Sequence, residues 1–283
     1  SRTEVSEGIT MEDTTGIARL LQAVTTDTKH EVQLTKRTNA DLFNETKGSG
    51  TCPKCNGKGW IMKQVEHFGM LYDCTVPCEC YIKAQNEQRM LNCGLSDIIA
   101  KCTFDTFNAT EQWQKRLKAH AVEFAENPVG WFYVGGQSGC GKTHICTAIV
   151  KELMDKGLDV RYMVWASEVI RLKANKNDDE VYSRLISPYQ TCKVLYIDDF
   201  FKMPKSSAQK PTQSDIMTAF EILNYRYNNK KLITIISTEQ SIDNIIEFDE
   251  ALGSRIYEMT KNNSAHNRNV LKIEDGRNYR LKK

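Results

Sequence analysis

Three groups of residues in this sequence have the types and spacing to do chemistry. The first is Gly136-Gln137-Ser138-Gly139-Cys140-Gly141-Lys142-Thr143, which fits G-x-x-x-x-G-K-[ST]. Glycines at these positions let successive backbone N–H groups turn toward a phosphate chain, and the start of the following helix adds partial positive charge. Lys142 then reaches the β- and γ-phosphates, the Thr143 hydroxyl ligates Mg²⁺, and His144 continues the helix beside them. The second group is Asp198-Asp199, about fifty residues further on and directly after the apolar run Val194-Leu195-Tyr196-Ile197. A buried strand delivers both acids to its carboxyl end, where open α/β sheets bind ligands. Asp198 would hold Mg²⁺ through water, and Asp199 would orient the attacking water. The third group is Cys52, Cys55, Cys74, Cys78 and Cys80. A C-x₂-C knuckle followed by glycines, closed by C-x-C, suits one tetrahedral Zn²⁺ held by Cys52, Cys55, Cys78 and Cys80. Cys74 is the substitute ligand.

Weaker candidates surround these. Phe104 and Phe107 could wall an adenine. Ser237 and Thr238 end the apolar run Leu232-Ile233-Thr234-Ile235-Ile236, where a hydroxyl could meet the γ-phosphate or the attacking water. Arg255 lies near a helix start, from which a guanidinium can serve a neighbouring subunit's γ-phosphate. Arg280 is a candidate phosphate sensor within its own chain.

The elements that must position these residues follow from periodicity. Strands are predicted at 130–134, 159–164, 193–197, 232–236 and 269–273, with helices at 110–126, 142–156, 166–174, 178–187 and 212–228. Apolar strands alternating with helices specify an α/β fold, a mainly parallel sheet covered on both faces. Upstream, a hairpin is expected over 60–65 and 68–72 inside the cysteine stretch, then a helical linker over 81–101. The expected domains are a partly helical arm at 1–48, a cysteine module with linker at 49–100, and a nucleotide-binding domain at 101–283.

Composition narrows the setting. The chain has 283 residues, ten cysteines and a net charge of +2. Charge so near balance excludes a globally electrostatic partner, so any nucleic-acid surface is local. The candidates are the lysine-bearing loop 202–210 and the segment 261–283, with seven basic against two acidic residues. No apolar run approaches a membrane span and no basic-then-apolar signal opens the chain, so no membrane partner is expected. Clustered plus scattered cysteines point to a metal site and free thiols in a reducing cytoplasm. Cys140 inside the phosphate loop predicts an activity sensitive to alkylation.

In sequence order, these residues resemble a known family. Phe104-Asp105-Thr106-Phe107, the phosphate loop, Ile197-Asp198-Asp199-Phe200-Phe201-Lys202, Phe220-Glu221-Ile222-Leu223-Asn224-Tyr225-Arg226-Tyr227, Ile236-Ser237-Thr238-Glu239 and Gly253-Ser254-Arg255-Ile256 follow one another. The set is similar to the bacterial and phage replicative-helicase loaders of the DnaC/DnaI type, which are AAA+ ATPases, over about residues 100–281. The cysteine stretch is similar to the zinc-binding N-terminal region of the DnaI-like branch. The resemblance implies a five-stranded parallel sheet in the order 5-1-4-3-2, preceded by a small zinc-stabilised domain. It implies ATP, Mg²⁺ and Zn²⁺ as cofactors. The implied partners are the hexameric replicative DNA helicase, single-stranded DNA and further copies of the chain. It implies that Lys142 and Thr143 form Walker A, that Asp198 and Asp199 form Walker B, and that Ser237 and Thr238 fall at sensor 1. Arg255 falls in the arginine-finger box, Arg280 at sensor 2 and Arg226 at the subunit interface. Two alternatives stand beside an ATP-driven loader: a nucleotide-gated binding module with incidental hydrolysis, and an IstB-like transposition helper ATPase, a type that usually lacks the zinc module.

Overall fold

The computed structural model describes residues 39–67, 69–92, 96–202, 210–261 and 270–273. Arm residues 1–38, most of the lysine loop, and the C-terminal segment with Arg280 lie outside the described residues. The chain divides into two compact units between Cys78 and Glu79.

In the first unit a short helix α1 (Asn39–Glu45) precedes an antiparallel hairpin, β1 (Trp60–His67) and β2 (Met70–Pro77). Each strand is longer than the alternation in sequence indicated. Asn44 fastens the end of α1 to β1, its side chain bonding both the N–H and the carbonyl of Met62 at 2.9 Å. Between α1 and β1 the chain folds into a glycine-rich knuckle. Gly57 has φ +79, and a Cβ there would meet the Gly50 carbonyl oxygen at 2.1 Å, so only glycine fits.

The second unit carries α2 (Glu79–Asn92), α3 (Ser96–Lys101), α4 (Gln112–Glu126), β3 (Trp131–Gly136), α5 (Lys142–Asp155), β4 (Val160–Val164), α6 (Trp165–Ala174), α7 (Asp179–Thr191), β5 (Val194–Phe200), α8 (Gln213–Asn228), β6 (Ile233–Thr238), α9 (Ile242–Phe248), α10 (Glu250–Met259) and β7 (Val270–Ile273). The helix expected as a linker belongs to this unit: Asn86 on α2 donates to the Leu158 carbonyl at 2.8 Å, and Arg89 pairs with Asp159.

Five parallel strands form one sheet in the order β4-β5-β6-β3-β7. Counted from β3 as first, this is the expected 5-1-4-3-2 read from the other edge. Side chains alternate across it with the period of two that strands impose. Phe132, Val134, Val194, Tyr196, Ile233 and Ile235 join the core under α4 and α5. Trp131, Tyr133, Leu195, Ile197 and Ile236 join the core under α6, α8 and α10. Each large apolar side chain buried this way stabilises the fold by about 1.5–3 kcal/mol.

Three local features differ from the sequence reading. Helix α7 does not stop at 187; it continues to Thr191 through Pro188. Pro188 lacks the N–H that would bond the Arg184 carbonyl, so α7 forgoes one backbone bond there. Strand β5 does not stop at Ile197; it runs on to Phe200 across a bulge between Ile197 and Phe200, with Asp199 at φ 53. Arg226 does not line a subunit interface. It is fully buried, and its guanidinium donates to the carbonyls of Tyr189, Gln190, Cys192 and Ile233 and to the Thr234 hydroxyl. Those carbonyls include the orphan acceptors at the end of α7, which a cation satisfies.

Candidate functional site

The phosphate loop joins β3 to α5. Gly141 holds the N-cap position of α5 at φ 97, where no side chain caps the helix. A Cβ at Gly141 would press on the Phe107 ring at 3.3 Å. The uncapped first-turn N–H groups are donors suited to phosphate oxygens. Lys142, 5% exposed, donates to the carbonyls of Gly136 and Gln137, each at 2.7 Å. The loop opens onto a cavity of about 570 Å³ that also takes in Phe107, His144, Asp199 and Lys202.

Strand β5 brings Asp198 to the loop. Its Oδ1 accepts from the Thr143 hydroxyl at 3.3 Å, the Tyr196 hydroxyl at 2.9 Å, the Asp199 N–H at 3.1 Å and the Ser237 hydroxyl. Its Oδ2 accepts from the Tyr162 hydroxyl at 2.5 Å. Burying a carboxyl group costs free energy unless such donors surround it. Thr143 and Asp198 thus stand together as oxygen ligands suited to Mg²⁺. Asp199 lines the cavity and forms an ion pair with Lys202 at 2.7 Å. Asp199, in the bulge, and Phe201, just past the strand, both have φ 53. Positive φ at non-glycine residues is a strain that concentrates at functional sites.

Other sequence candidates fall in different places. Ser237, not Thr238, is the strand hydroxyl that meets Asp198. Thr238 is fully buried and donates to the Phe200 carbonyl at 2.6 Å, which ties β6 to β5 beyond the bulge and keeps the hydroxyl from the cavity. Phe107 is part of the cavity wall, edge-on to His144 at 5.3 Å, whereas Phe104 packs against the core. His144 Nε2 donates to the Thr103 carbonyl (3.0 Å) and lies 3.2 Å from the Thr106 hydroxyl, so it fastens the 103–106 turn to α5. Arg255 lies on α10 away from the cavity, over the rings of Phe220 (4.9 Å) and Tyr227 (5.3 Å), with Asn224 accepting at 3.0 Å. Cys140 is 2% exposed, and burial raises its thiol pKa. A covered thiol of raised pKa reacts slowly, which counts against the expected sensitivity to alkylation.

Two residues were missed in the sequence: Tyr162 and Tyr196, whose rings meet edge-on at 4.8 Å. Burial raises both phenol pKa values, and the Asp198 carboxylate adds to the rise, so both hydroxyls are donors at neutral pH. Tyr196 is two residues before Asp198 and therefore on the same strand face, a signal the sequence contains. Tyr162 reaches Asp198 only because β4 pairs with β5 in the register Tyr162↔Tyr196.

In the first unit and just past its end, Cys52, Cys55, Cys78 and Cys80 place their sulfurs within 4.8 Å of one another. Cys52 and Cys78 are 3.9 Å apart. A Zn²⁺ with Zn–S bonds near 2.3 Å requires edges of about 3.8 Å, so the donor set fits the ion. The Gly59 N–H donates to Cys55 Sγ at 3.1 Å, as thiolate sites in glycine knuckles do. Cys74 is exposed on β2, outside the cluster.

No helix among the described residues is long and apolar enough to cross a membrane. The protein YqaM of Bacillus subtilis is 31% identical over 266 residues, 77% of this chain and 82% of the relative. The PBSX phage-like element protein XkdC of the same organism is 38% identical over 125 residues, 44% of this chain and 45% of its own. The replicative helicase loader DnaC of Escherichia coli is 22% identical over 179 residues, 62% of this chain and 69% of its own. A crystal structure of the DnaC helicase loader superposes with a TM-score of 0.53 at 23% identity, covering 62% of this chain and 98% of that one, which shows a shared fold. The sequence profile described as "IstB-like ATP binding protein" matches residues 82–283, and so takes in the phosphate loop, both carboxylates and the strand-end hydroxyls. With that span and this geometry, the chain belongs to the IstB-like ATP binding proteins, the AAA+ family of the DnaC type.

Proposed function

We propose that this chain is an ATP-driven loader acting on a hexameric replicative DNA helicase and single-stranded DNA. The observation that carries the reading is the meeting of Thr143 with Asp198 at 3.3 Å beside an uncapped helix start, which supports a Mg²⁺·ATP site. Likeness to DnaC loaders supports the purpose of that site. Thr143 and Asp198 would hold Mg²⁺, which supplies charge neutralisation at the β- and γ-phosphates. Lys142 exchanges the Gly136 and Gln137 carbonyls for phosphate oxygens. Asp199 leaves Lys202 to orient the attacking water. Ser237, Tyr196 and Tyr162 keep Asp198 aimed at Thr143. Arg255 serves the site of a neighbouring copy. The module at 49–100 docks the helicase, with Zn²⁺ held by Cys52, Cys55, Cys78 and Cys80.

The test is capture of a replicative helicase by the full chain with and without Mg²⁺·ATP, followed by loading onto single-stranded DNA. Capture should depend on ATP and fail for Lys142→Ala. Asp199→Asn should retain capture and lose loading; loading by Asp199→Asn as by the wild type would favour the nucleotide-gated module. The family description favours a second reading, an IstB-like transposition helper. That reading predicts ATP-dependent capture of a transposase in place of the helicase, and a chain that purifies without zinc.

A further inference from the structure

We infer that Gln114 reads the base of the bound nucleotide, its side-chain NH₂ group donating to a ring nitrogen of adenine; this rests on the Mg²⁺·ATP reading above. Gln114 is 5% exposed and belongs to the wall of the same cavity as the phosphate loop. Its Oε1 accepts from the backbone N–H of Thr110 at 3.0 Å, the N–H of Glu111 at 2.9 Å and the Thr110 hydroxyl at 3.2 Å. An amide oxygen offers two lone-pair sites, so these donors saturate it. Rotating the amide by half a turn would set its NH₂ against two N–H groups, and the orientation is therefore fixed. The Nε2 hydrogens point away from the cap, and among the described residues none accepts from them.

The helix itself does not require this nitrogen. Gln114 is the third residue of α4 and completes a capping box with Glu111. A capping box needs only the side-chain oxygen, and glutamate fills that position as well as glutamine does. The part of Gln114 that the cap leaves unused is the donor that faces the cavity. Ile98, Cys102 and Phe107 make that wall largely apolar, as the faces of a planar heterocycle require, while Lys142 and Thr143 mark the phosphate end. Adenine presents acceptor nitrogens at its ring edges, and one donor held rigidly on an apolar wall selects for such an edge.

Gln114→Glu tests this, because it keeps a capping oxygen and removes the donor; it also adds a negative charge, which bears alike on ATP and on every deaza analogue. Affinities for ATP, for its 1-deaza, 3-deaza and 7-deaza analogues, and for inorganic tripolyphosphate are measured by competition against a ribose-labelled ATP. Binding, not turnover, is the readout. On the wild type, one deaza analogue should bind about tenfold more weakly than ATP, which identifies the nitrogen that is read. On Gln114→Glu, ATP should no longer differ from that analogue, a ratio in which the added charge cancels, and ATP should weaken by more than tripolyphosphate does. If all three analogues bind the wild type as ATP does, Gln114 does not read the base, although ATP binding stands; this arm needs no variant to fold. If that analogue still binds Gln114→Glu about tenfold more weakly than ATP does, the nitrogen is read by another group and the inference is overturned, since the added charge cancels in the ratio. A wild-type chain that binds no adenine nucleotide would overturn the Mg²⁺·ATP reading, and base reading with it.

Discussion

Single side chains at the carboxylate site act through one atom, Asp198 Oδ1 or Oδ2. Tyr162 is the donor on Oδ2, at 2.5 Å. Removing that hydroxyl in Tyr162→Phe leaves the ring packing intact and lets the carboxylate turn away from Thr143. The Mg²⁺ concentration for half-maximal ATP turnover should rise several-fold, with Mg²⁺-free nucleotide affinity unchanged; an unmoved Mg²⁺ midpoint would show that Tyr162 does not position Asp198. Cys140 makes the opposite case, a residue at the site that chemistry cannot reach. Its raised pKa leaves little thiolate at neutral pH, and its side chain is covered. Pulse labelling with iodoacetamide, read by mass spectrometry, should modify exposed Cys74 well before Cys140. Equal rates would mean that the phosphate loop opens far more than its packing against Phe107 allows.

At the level of elements, helix starts carry titratable caps. On α8, Thr212 and Asp215 form a reciprocal capping box, and Lys173 from α6 pairs with Asp215 at 2.9 Å. Burial pushes the Asp215 carboxyl up, but the Thr212 hydroxyl and N–H and the Lys173 ammonium outweigh it and hold the pKa below the ordinary carboxylate value. A group whose folded pKa is depressed adds stability above its unfolded pKa and loses it as pH falls through the folded one. Wild type should therefore melt above Asp215→Asn at neutral pH, by about 1 kcal/mol of capping energy. The difference in melting temperature should shrink below about pH 4. A gap that stays constant into acid would assign the effect to packing. The register of β4 on β5 belongs to this scale as well. A slip of one residue would turn Tyr162 to the other face of the sheet and away from Asp198.

The whole molecule consists of two units with different sources of stability. The second has two apolar cores, one on each face of its sheet. In the first, the buried side chains among the described residues are Ala40, Cys55 and Cys78, while Val65, Met70, Leu71 and Tyr72 are exposed. So small an apolar core does not hold a domain alone, and a metal ion in the four-cysteine cluster would add the missing stability. The purified chain should contain about one zinc ion per molecule. A strong chelator should open 39–78 to trypsin and leave the unfolding transition of the second unit in place. Unchanged proteolysis after complete zinc removal would mean that the knuckle and hairpin fold without the ion.

The sequence alone determined what depends on contiguous residues. The phosphate loop, the paired carboxylates, the cysteine knuckle and the alternation of strands and helices are local patterns, because backbone turns, metal-ligand spacing and strand burial are set within a few residues. The five strands were placed to within a few residues on this basis, and strand order followed from the family resemblance. Tertiary structure decided whatever requires two distant segments to meet. It put Tyr162 on Asp198, through strand register. It chose Ser237 over Thr238, because successive strand residues face opposite ways. It buried Arg226 under the end of α7, and it brought the start of α4, with Gln114, to the phosphate loop's cavity. Strand register, burial and hydrogen bonds between distant segments decide these, and no spacing rule along a chain encodes which donor finds which acceptor.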